Sequence, residues 1–259
     1  MAIIDIERHG RGIVRVVMNH GAARNAMGEE LRGALLPTLD QLFTDPTARV
    51  IILTSALKDF SVGGDLSKMD TLTDPKAGRL RMTSAHRLAR LLLSADKPMI
   101  AEVRGHAVGA GAGLVLFCDT IVMGEGASIG FPFPRVGLAP DFAIAYTLPK
   151  RIGLAKARQA LLYARNYKGP DALAIGLADE VVADDQVTAL AMERARELAA
   201  LPSHSAALTK RMLEHADDAA AVLDLEAMAQ PLCFASDDFQ EGLAAFREKR
   251  KPNFDPGVE

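Results

Sequence analysis

Tryptophan is absent from the 259 residues, and cysteine occurs only twice. Cys118 and Cys233 are far apart, and neither has a second Cys or a His at metal-ligand spacing, so a disulfide framework and a zinc site are both disfavoured and two reduced core thiols are expected. No segment approaches the roughly 18 apolar residues that a membrane-spanning helix needs, and residues 1–10 lack the apolar region of a signal peptide. A cytoplasmic location is therefore the expectation. An excess of positive charge is also missing: 30 Lys and Arg stand against 33 Asp and Glu, which leaves a formal net charge of -3. That balance offers no field for nucleic acid or an anionic membrane, although basic residues cluster at 247–251. A small anion such as a phosphate suits this chain better than a polymer.

What is present is ample core material, 49% of the residues being hydrophobic, and one stretch around which the rest is organised. Residues 98–116, PMIAEVRGHAVGAGAGLVL, read as a buried strand, a turn of small residues and a helix beginning near Ala110. Glycine and alanine let a ligand approach the main chain, and a helix start aims free N–H groups at it. The expected guest is an oxygen carrying negative charge.

In chain order, the pattern predicts a hairpin (2–7 and 12–19, turning at 9–12), a helix over 27–43, a strand over 49–54 and a Gly-containing polar loop over 55–70. A helix over 78–94 then leads into the central stretch. Short strands follow at 121–123 and 127–130, then a Pro-rigidified connection at 131–134 and a helix starting at Asp141 and reaching 148. Beyond residue 152 the chain turns mainly helical (154–164, 169–176, 186–201, 205–216, 220–235 and 237–249), with a short strand at 180–183. Strand and helix alternation predicts an α/β fold with a largely parallel sheet.

The glycine-rich turn is not a dinucleotide fingerprint, because its G-A-G-A-G spacing differs from G-x-G-x-x-G and no acidic residue closes a strand about 20 residues later. Small residues there can serve tight helix packing alone. A second small-residue turn, Phe60 to Asp65, also ends a strand. If the two converge at one sheet edge, the N–H groups of Gly64 and Ala110 can share one carbonyl oxygen as an oxyanion hole.

Taken together these segments resemble the crotonase (enoyl-CoA hydratase/isomerase) superfamily over nearly the whole length. The matching pieces are Arg24-Asn25-Ala26-Met27, Phe60 to Leu66, Lys97-Pro98 leading to Gly105 to Leu114, Gly137-Leu138-Ala139-Pro140-Asp141, Arg151-Ile152-Gly153, the run 176–182 and the ending 246–254. The resemblance implies a ClpP-like ββα superhelix over residues 1–200 and a helical C-terminal trimerisation region over 201–259. It implies a homotrimer or a dimer of trimers that binds acyl-CoA thioesters, with coenzyme A part of the substrate and no tightly bound cofactor or metal. It places Gly64 and Ala110 at the oxyanion positions, Phe246 and Lys249 where a subunit reaches a neighbour's CoA, and Arg24, Lys58, Phe60 and Val62 at further CoA contacts.

Departures from the family pattern redirect the chemistry. Where hydratases of the family carry two glutamates, this chain has Gly113 and Phe133, and a group that binds no proton is no acid or base. The remaining carboxylate is Asp141, which reads either as a helix N-cap or, by resemblance to isomerases and dehalogenases of the fold, as the catalytic group. His86 reads as a surface histidine or, by resemblance to 4-chlorobenzoyl-CoA dehalogenases, as the base that activates water against an Asp141 ester. His106 reads as a turn or pocket-wall residue, Asp65 as a brace of its own loop, and Phe131, Phe133, Phe142 and Tyr146 as acyl-pocket walls or plain core. The expected activity is isomerisation of a 3,4 to a 2,3 double bond, with Asp141 as acid/base. The alternatives are dehalogenase-like hydrolysis, hydration by a non-standard route, and a non-catalytic acyl-CoA binder.

Overall fold

The computed structural model describes residues 2–65 and 74–254; expectations falling on the other residues, Leu66 among them, lie outside it. The chain opens with a hairpin, β1 (Ile4–His9) antiparallel to β2 (Ile13–Met18), and adds β3 (Val50–Ser55), β4 (Met99–Val103), β6 (Thr120–Gly124) and β9 (Glu180–Val182) in parallel. The six-stranded order is β1-β2-β3-β4-β6-β9. Every residue of β3 and β4 is buried, which only a sheet covered on both faces permits.

Alternation sorts those strands between two cores. Ile51, Leu53, Met99, Ala101, Ile121 and Met123 face one side, with α1 (Glu29–Thr44), α2 (Pro75–Leu93) and α3 (Ala110–Leu116). Val50, Ile52, Ile100 and Val122 face the other, where α7 (Val187–Ala199) lays Ala191, Ala195 and Ala199 on the sheet. Alanine at every fourth position lets that helix come close. Glu102, the acid on the central strand, points to the α7 side, where Arg15 pairs with it at 3.0 Å and Thr188 donates to it at 2.6 Å. It is structural, and it lies on the sheet face away from the glycine turn.

A second, three-stranded sheet, β5 (His106–Val108), β7 (Ser128–Gly130) and β8 (Asn166–Lys168), stands beside the first. The sequence pattern predicts a turn at His106 to Val108 and no strand at 166–168, and the structure has a strand at both. Three residues are too few for a period-2 signal, and these strands exist by pairing across the chain. The helix expected to start at Asp141 instead runs Ile144–Ile152 (α4). After α5 (Leu154–Leu162) and α6 (Gly169–Ala174), the helices α8 (Ser203–Leu213), α9 (Ala219–Phe234) and α10 (Asp237–Glu248) pack mainly on one another. They leave Leu213, Leu223, Met228, Leu232, Phe234 and Phe246 exposed. No helix among the described residues is long and apolar enough to cross a membrane. Cys118 is buried, its thiol pushed up to about 12 by that burial, and Cys233 is half-buried; both are free.

Candidate active site

The two small-residue turns do converge. The loop after β3 runs beside β5 through Phe60 N–H to Arg104 O (3.0 Å), Ser61 N–H to His106 O (2.9 Å) and Val108 N–H to Ser61 O (3.0 Å). The pairing then stops, and among the described residues the N–H groups of Gly64 and Ala110 have no acceptor. Gly63 holds the loop at this distance: its φ is +90°, and a Cβ there would stand 2.5 Å from Val108 O and 3.6 Å from the Gly109 Cα. Only glycine satisfies both conditions. Two backbone donors without an acceptor among the described residues, on turns that the Ser61 and Val108 pairing brings together, suit a carbonyl oxygen that gains negative charge.

Asn25 braces this arrangement, a role the sequence reading had not assigned. It is fully buried, donates from Nδ2 to Ser55 Oγ (2.7 Å) and Phe60 O (3.1 Å), and accepts from His20 N–H (2.8 Å). Ser61 Oγ returns a bond to Asn25 O (2.6 Å), and Met27 N–H reaches Gly63 O (2.6 Å). Its signal in the sequence was its place in the Arg24-Asn25-Ala26-Met27 piece. The start of α1 is thereby tied to the loop that carries Gly64.

Phe133 packs next to Gly109. A Cβ on Gly109 would be 3.8 Å from its ring, so the aromatic edge forms a wall beside the oxyanion turn. The other three aromatic candidates do something else: Phe131 is wholly buried, Phe142 packs edge-on against Phe117 with ring centroids 5.5 Å apart, and Tyr146 is exposed beneath Lys150. At Gly113 the space for a side chain is already taken. A Cβ there would meet Phe142 Cδ1 at 3.0 Å, Phe142 Cβ at 3.1 Å and Ile144 Cγ1 at 3.2 Å. A side chain there would have to push Phe142 and Ile144 aside by a few tenths of an ångström.

Asp141 is not a helix cap. Phe142 and Ala143 follow it with φ of 52° and 59°, so α4 begins three residues later, and no side chain caps it. Asp141 Oδ1 is buried with no hydrogen-bond partner among the described residues. Burial pushes this carboxyl above the usual carboxylate range, opposed by the charge of Arg81, by its own backbone N–H and by the charges of Arg32 and His86. A half-buried carboxyl with an unused oxygen and a raised pKa is suited to taking up and returning a proton. His86 is exposed on α2; its charge is felt at Asp141, and no hydrogen bond joins the two.

The expected coenzyme A contacts divide. Arg24, itself at φ 49°, holds Asp59 at 2.5 Å, and this pairing with the His106 N–H keeps the Asp59 carboxyl low despite its burial. Lys58 is exposed beside it and Val62 half-buried, its N–H 3.4 Å from Arg24 O. Phe60 is a correction: the residue is 1% exposed and belongs to the core, and its N–H and C=O are taken by Arg104 O and Asn25 Nδ2, so it offers a ligand no surface. Phe246 is 82% exposed on α10, and Lys249, in the left-handed region, ends that helix in solvent. Neither lies among the residues gathered around Gly64 and Ala110. His106 bonds Ser128 Oγ at 2.7 Å through Nδ1, a brace between β5 and β7.

Comparison with known proteins places this geometry. The family model described as enoyl-CoA hydratase/isomerase matches residues 8–257. The 1,2-epoxyphenylacetyl-CoA isomerase of Escherichia coli is 31% identical, the match covering 94% of this chain and 95% of that one. The 2,3-dehydroadipyl-CoA hydratase of the same organism is 30% identical over 98% and 99% of the two chains. The crystal structure of an enoyl-CoA hydratase from Bacillus anthracis superposes with a TM-score of 0.92 at 26% identity, covering 98% of this chain and 99% of that one. The mixed α/β fold, the paired glycine turns and these matches agree, and the chain belongs to the enoyl-CoA hydratase/isomerase family, the crotonase superfamily.

Proposed function

We propose that the protein is an enoyl-CoA isomerase that moves a carbon–carbon double bond from the 3,4 to the 2,3 position of an acyl-CoA, with Asp141 as acid and base. The observation that carries the reading is the half-buried Asp141 carboxyl, its Oδ1 buried and without a partner among the described residues, and free of any capping role. The thioester oxygen binds the N–H groups of Gly64 and Ala110. Asp141 takes a proton from the α-carbon, and the electron pair delocalises onto the thioester oxygen and the 3,4 double bond as a dienolate held by the two donors. The same carboxyl returns the proton to C4 as the 2,3 double bond forms. One group suffices, in keeping with Gly113 and Phe133 at the two hydratase glutamate positions. Coenzyme A enters as part of the substrate, and the exposed apolar residues of α8 to α10 support assembly into a trimer.

The test is isomerisation of 3-enoyl-CoA together with exchange of the α-proton in heavy water. Asp141→Asn is expected to lower kcat by roughly 10²–10⁴, the usual contribution of a general base. Full activity in that variant would remove Asp141 from the reaction. The exposure of His86 favours acid/base chemistry over attack by Asp141 with water activated by His86; incorporation of heavy oxygen from water into Asp141 over multiple turnovers would reverse that preference.

A further inference from the structure

A buried carboxylate stands between the two turns that carry Gly64 and Ala110. Around Ser61 the loop after β3 and strand β5 pair as parallel strands, with Ser61 N–H on His106 O and Val108 N–H on Ser61 O. Two residues earlier the same register would set the His106 N–H on Asp59 O. The ladder slips there instead. Phe60 N–H takes Arg104 O (3.0 Å), Asp59 O accepts from Ser55 Oγ (2.7 Å), and the His106 N–H goes to the Asp59 side chain, at 3.1 Å from Oδ1. Gly105 allows that reach, since it turns the chain at φ +58° and a Cβ on it would stand 2.7 Å from Asp59 Oδ1.

The other carboxylate oxygen is held as well. Arg24 Nη2 donates to Asp59 Oδ2 at 2.5 Å, and Arg24 O accepts the Val62 N–H at 3.4 Å. One side chain therefore joins three segments: residues 20–27, the loop that leads to Gly64, and the strand that leads to Ala110. Asp59 is 5% exposed, and although burial alone would raise its carboxyl, the Arg24 and His106 bonds keep it ionised at neutral pH. Asn25 does a different job, tying the same loop to the start of α1 and making no bond to β5. Removing the Asp59 carboxylate takes the acceptor from the His106 N–H where the main-chain ladder is already broken. Backbone N–H groups are obligatory donors, so the strand would shift to find another acceptor, water included.

Resting on the reading of the Gly64 and Ala110 N–H groups as an oxyanion hole, we propose that Asp59 is a positioning residue of the site. Its carboxylate, oriented by Arg24, sets the spacing of the two donors by clamping the loop of Gly64 to the strand of Ala110. Gly64 follows Asp59 by five residues and Ala110 follows His106 by four, so a slip at the clamp is passed on over a short length of chain. Small displacements matter, because a misplacement of about 1 Å in a catalytic arrangement can cost about 10²-fold in rate. Asp59 acts through the main chain of His106 and not on the substrate.

The carbonyl stretch of a bound thioester reads the two donors directly and without turnover. Saturated acyl-CoAs from butyryl-CoA to octanoyl-CoA are ranked by calorimetry, and the tightest binder, labelled with heavy carbon at the thioester carbonyl, is bound at saturation for difference infrared spectroscopy. In the parent protein the stretch is expected to move to lower frequency on binding. Asp59→Ala and Asp59→Leu, the second filling the volume of the carboxylate, are expected to lose about half of that shift or more, one donor of two falling out of line. Asp59→Asn keeps an oxygen for the His106 N–H, and the Arg24 side chain, 64% exposed, can turn to water, so this variant is expected to keep most of the shift. Thermal melts establish which variants are folded. A parent-like shift in folded Asp59→Ala or Asp59→Leu overturns the proposal, as does a loss in Asp59→Asn as large as theirs. Failure of both Asp59→Ala and Asp59→Leu to fold makes Asp59 a folding residue, and folded variants that no longer bind place it in the coenzyme A site; either result overturns the proposal too. No binding or no shift in the parent removes the oxyanion reading and this proposal with it. If the shifts behave as expected while 3-enoyl-CoA is not isomerised, the isomerase reading fails and the role of Asp59 stands.

Discussion

Putting a glutamate back at position 113 separates a lost residue from a rebuilt site. A Cβ at that position lies 3.0–3.2 Å from Phe142 and Ile144, several tenths of an ångström inside ordinary contact, and the rest of a glutamate would have to enter the Phe142 ring. Overpacking of this kind costs about 1–3 kcal/mol. The carboxylate would also enter an apolar pocket without a partner, adding roughly 1–3 kcal/mol, while replacing a helical glycine returns about 1 kcal/mol. The balance for Gly113→Glu is a loss of about 1–5 kcal/mol. At roughly 2–4 °C per kcal/mol for a chain of this size, the melting temperature should drop by about 2–20 °C. Differential scanning fluorimetry measures the drop, and a crotonyl-CoA hydration assay should show no gain of activity. Adding Phe142→Ala removes the obstructing ring, so the double variant should lose less than the sum of the two single changes. A Gly113→Glu protein that melts with the parent, or that hydrates crotonyl-CoA, would refute the argument that packing occupies the glutamate's place.

Three further outcomes follow from the same geometry. Ala110→Pro deletes one oxyanion N–H at the first helical position, where proline is tolerated; kcat should fall by roughly 10²–10³ in steady-state assays with the helix intact by circular dichroism. Asp141→Asn should raise stability at neutral pH. A carboxyl whose folded pKa is raised binds its proton more tightly in the folded state, so it detracts from stability once pH exceeds its unfolded value, and the full penalty is present above the folded one. The melting-temperature advantage of the variant should shrink as pH falls through the raised folded value toward about 4, and be gone below that, where both states are protonated. Ala143→Gly relieves a left-handed residue at the start of α4 and should stabilise by about 1 kcal/mol in urea titrations, the strain of roughly 1–2 kcal/mol being partly offset by the added freedom of the unfolded chain.

Much of this architecture is local in origin and was legible in the residue order. The β-branched runs of β2 and β3, the heptad-like leucines of α1 and the glycine-rich start of α3 at 109–113 each state their conformation within a few neighbours, because side-chain period and backbone freedom are properties of short segments. The same holds for the identity of the two proposed oxyanion donors, since a main-chain N–H is placed by the turn that carries it, and for the absence of glutamate at Gly113 and Phe133. Tertiary structure decided the rest. That Asp141 does not cap α4 depended on two left-handed residues after it, which no local propensity favours. That Phe60 belongs to the core, that Phe142 fills the space beside Gly113, and that the Asp59 side chain reaches the His106 N–H are consequences of packing between segments distant in the chain. Such placements depend on what surrounds a side chain, and those surroundings exist only after the sheet and its helices have closed around it.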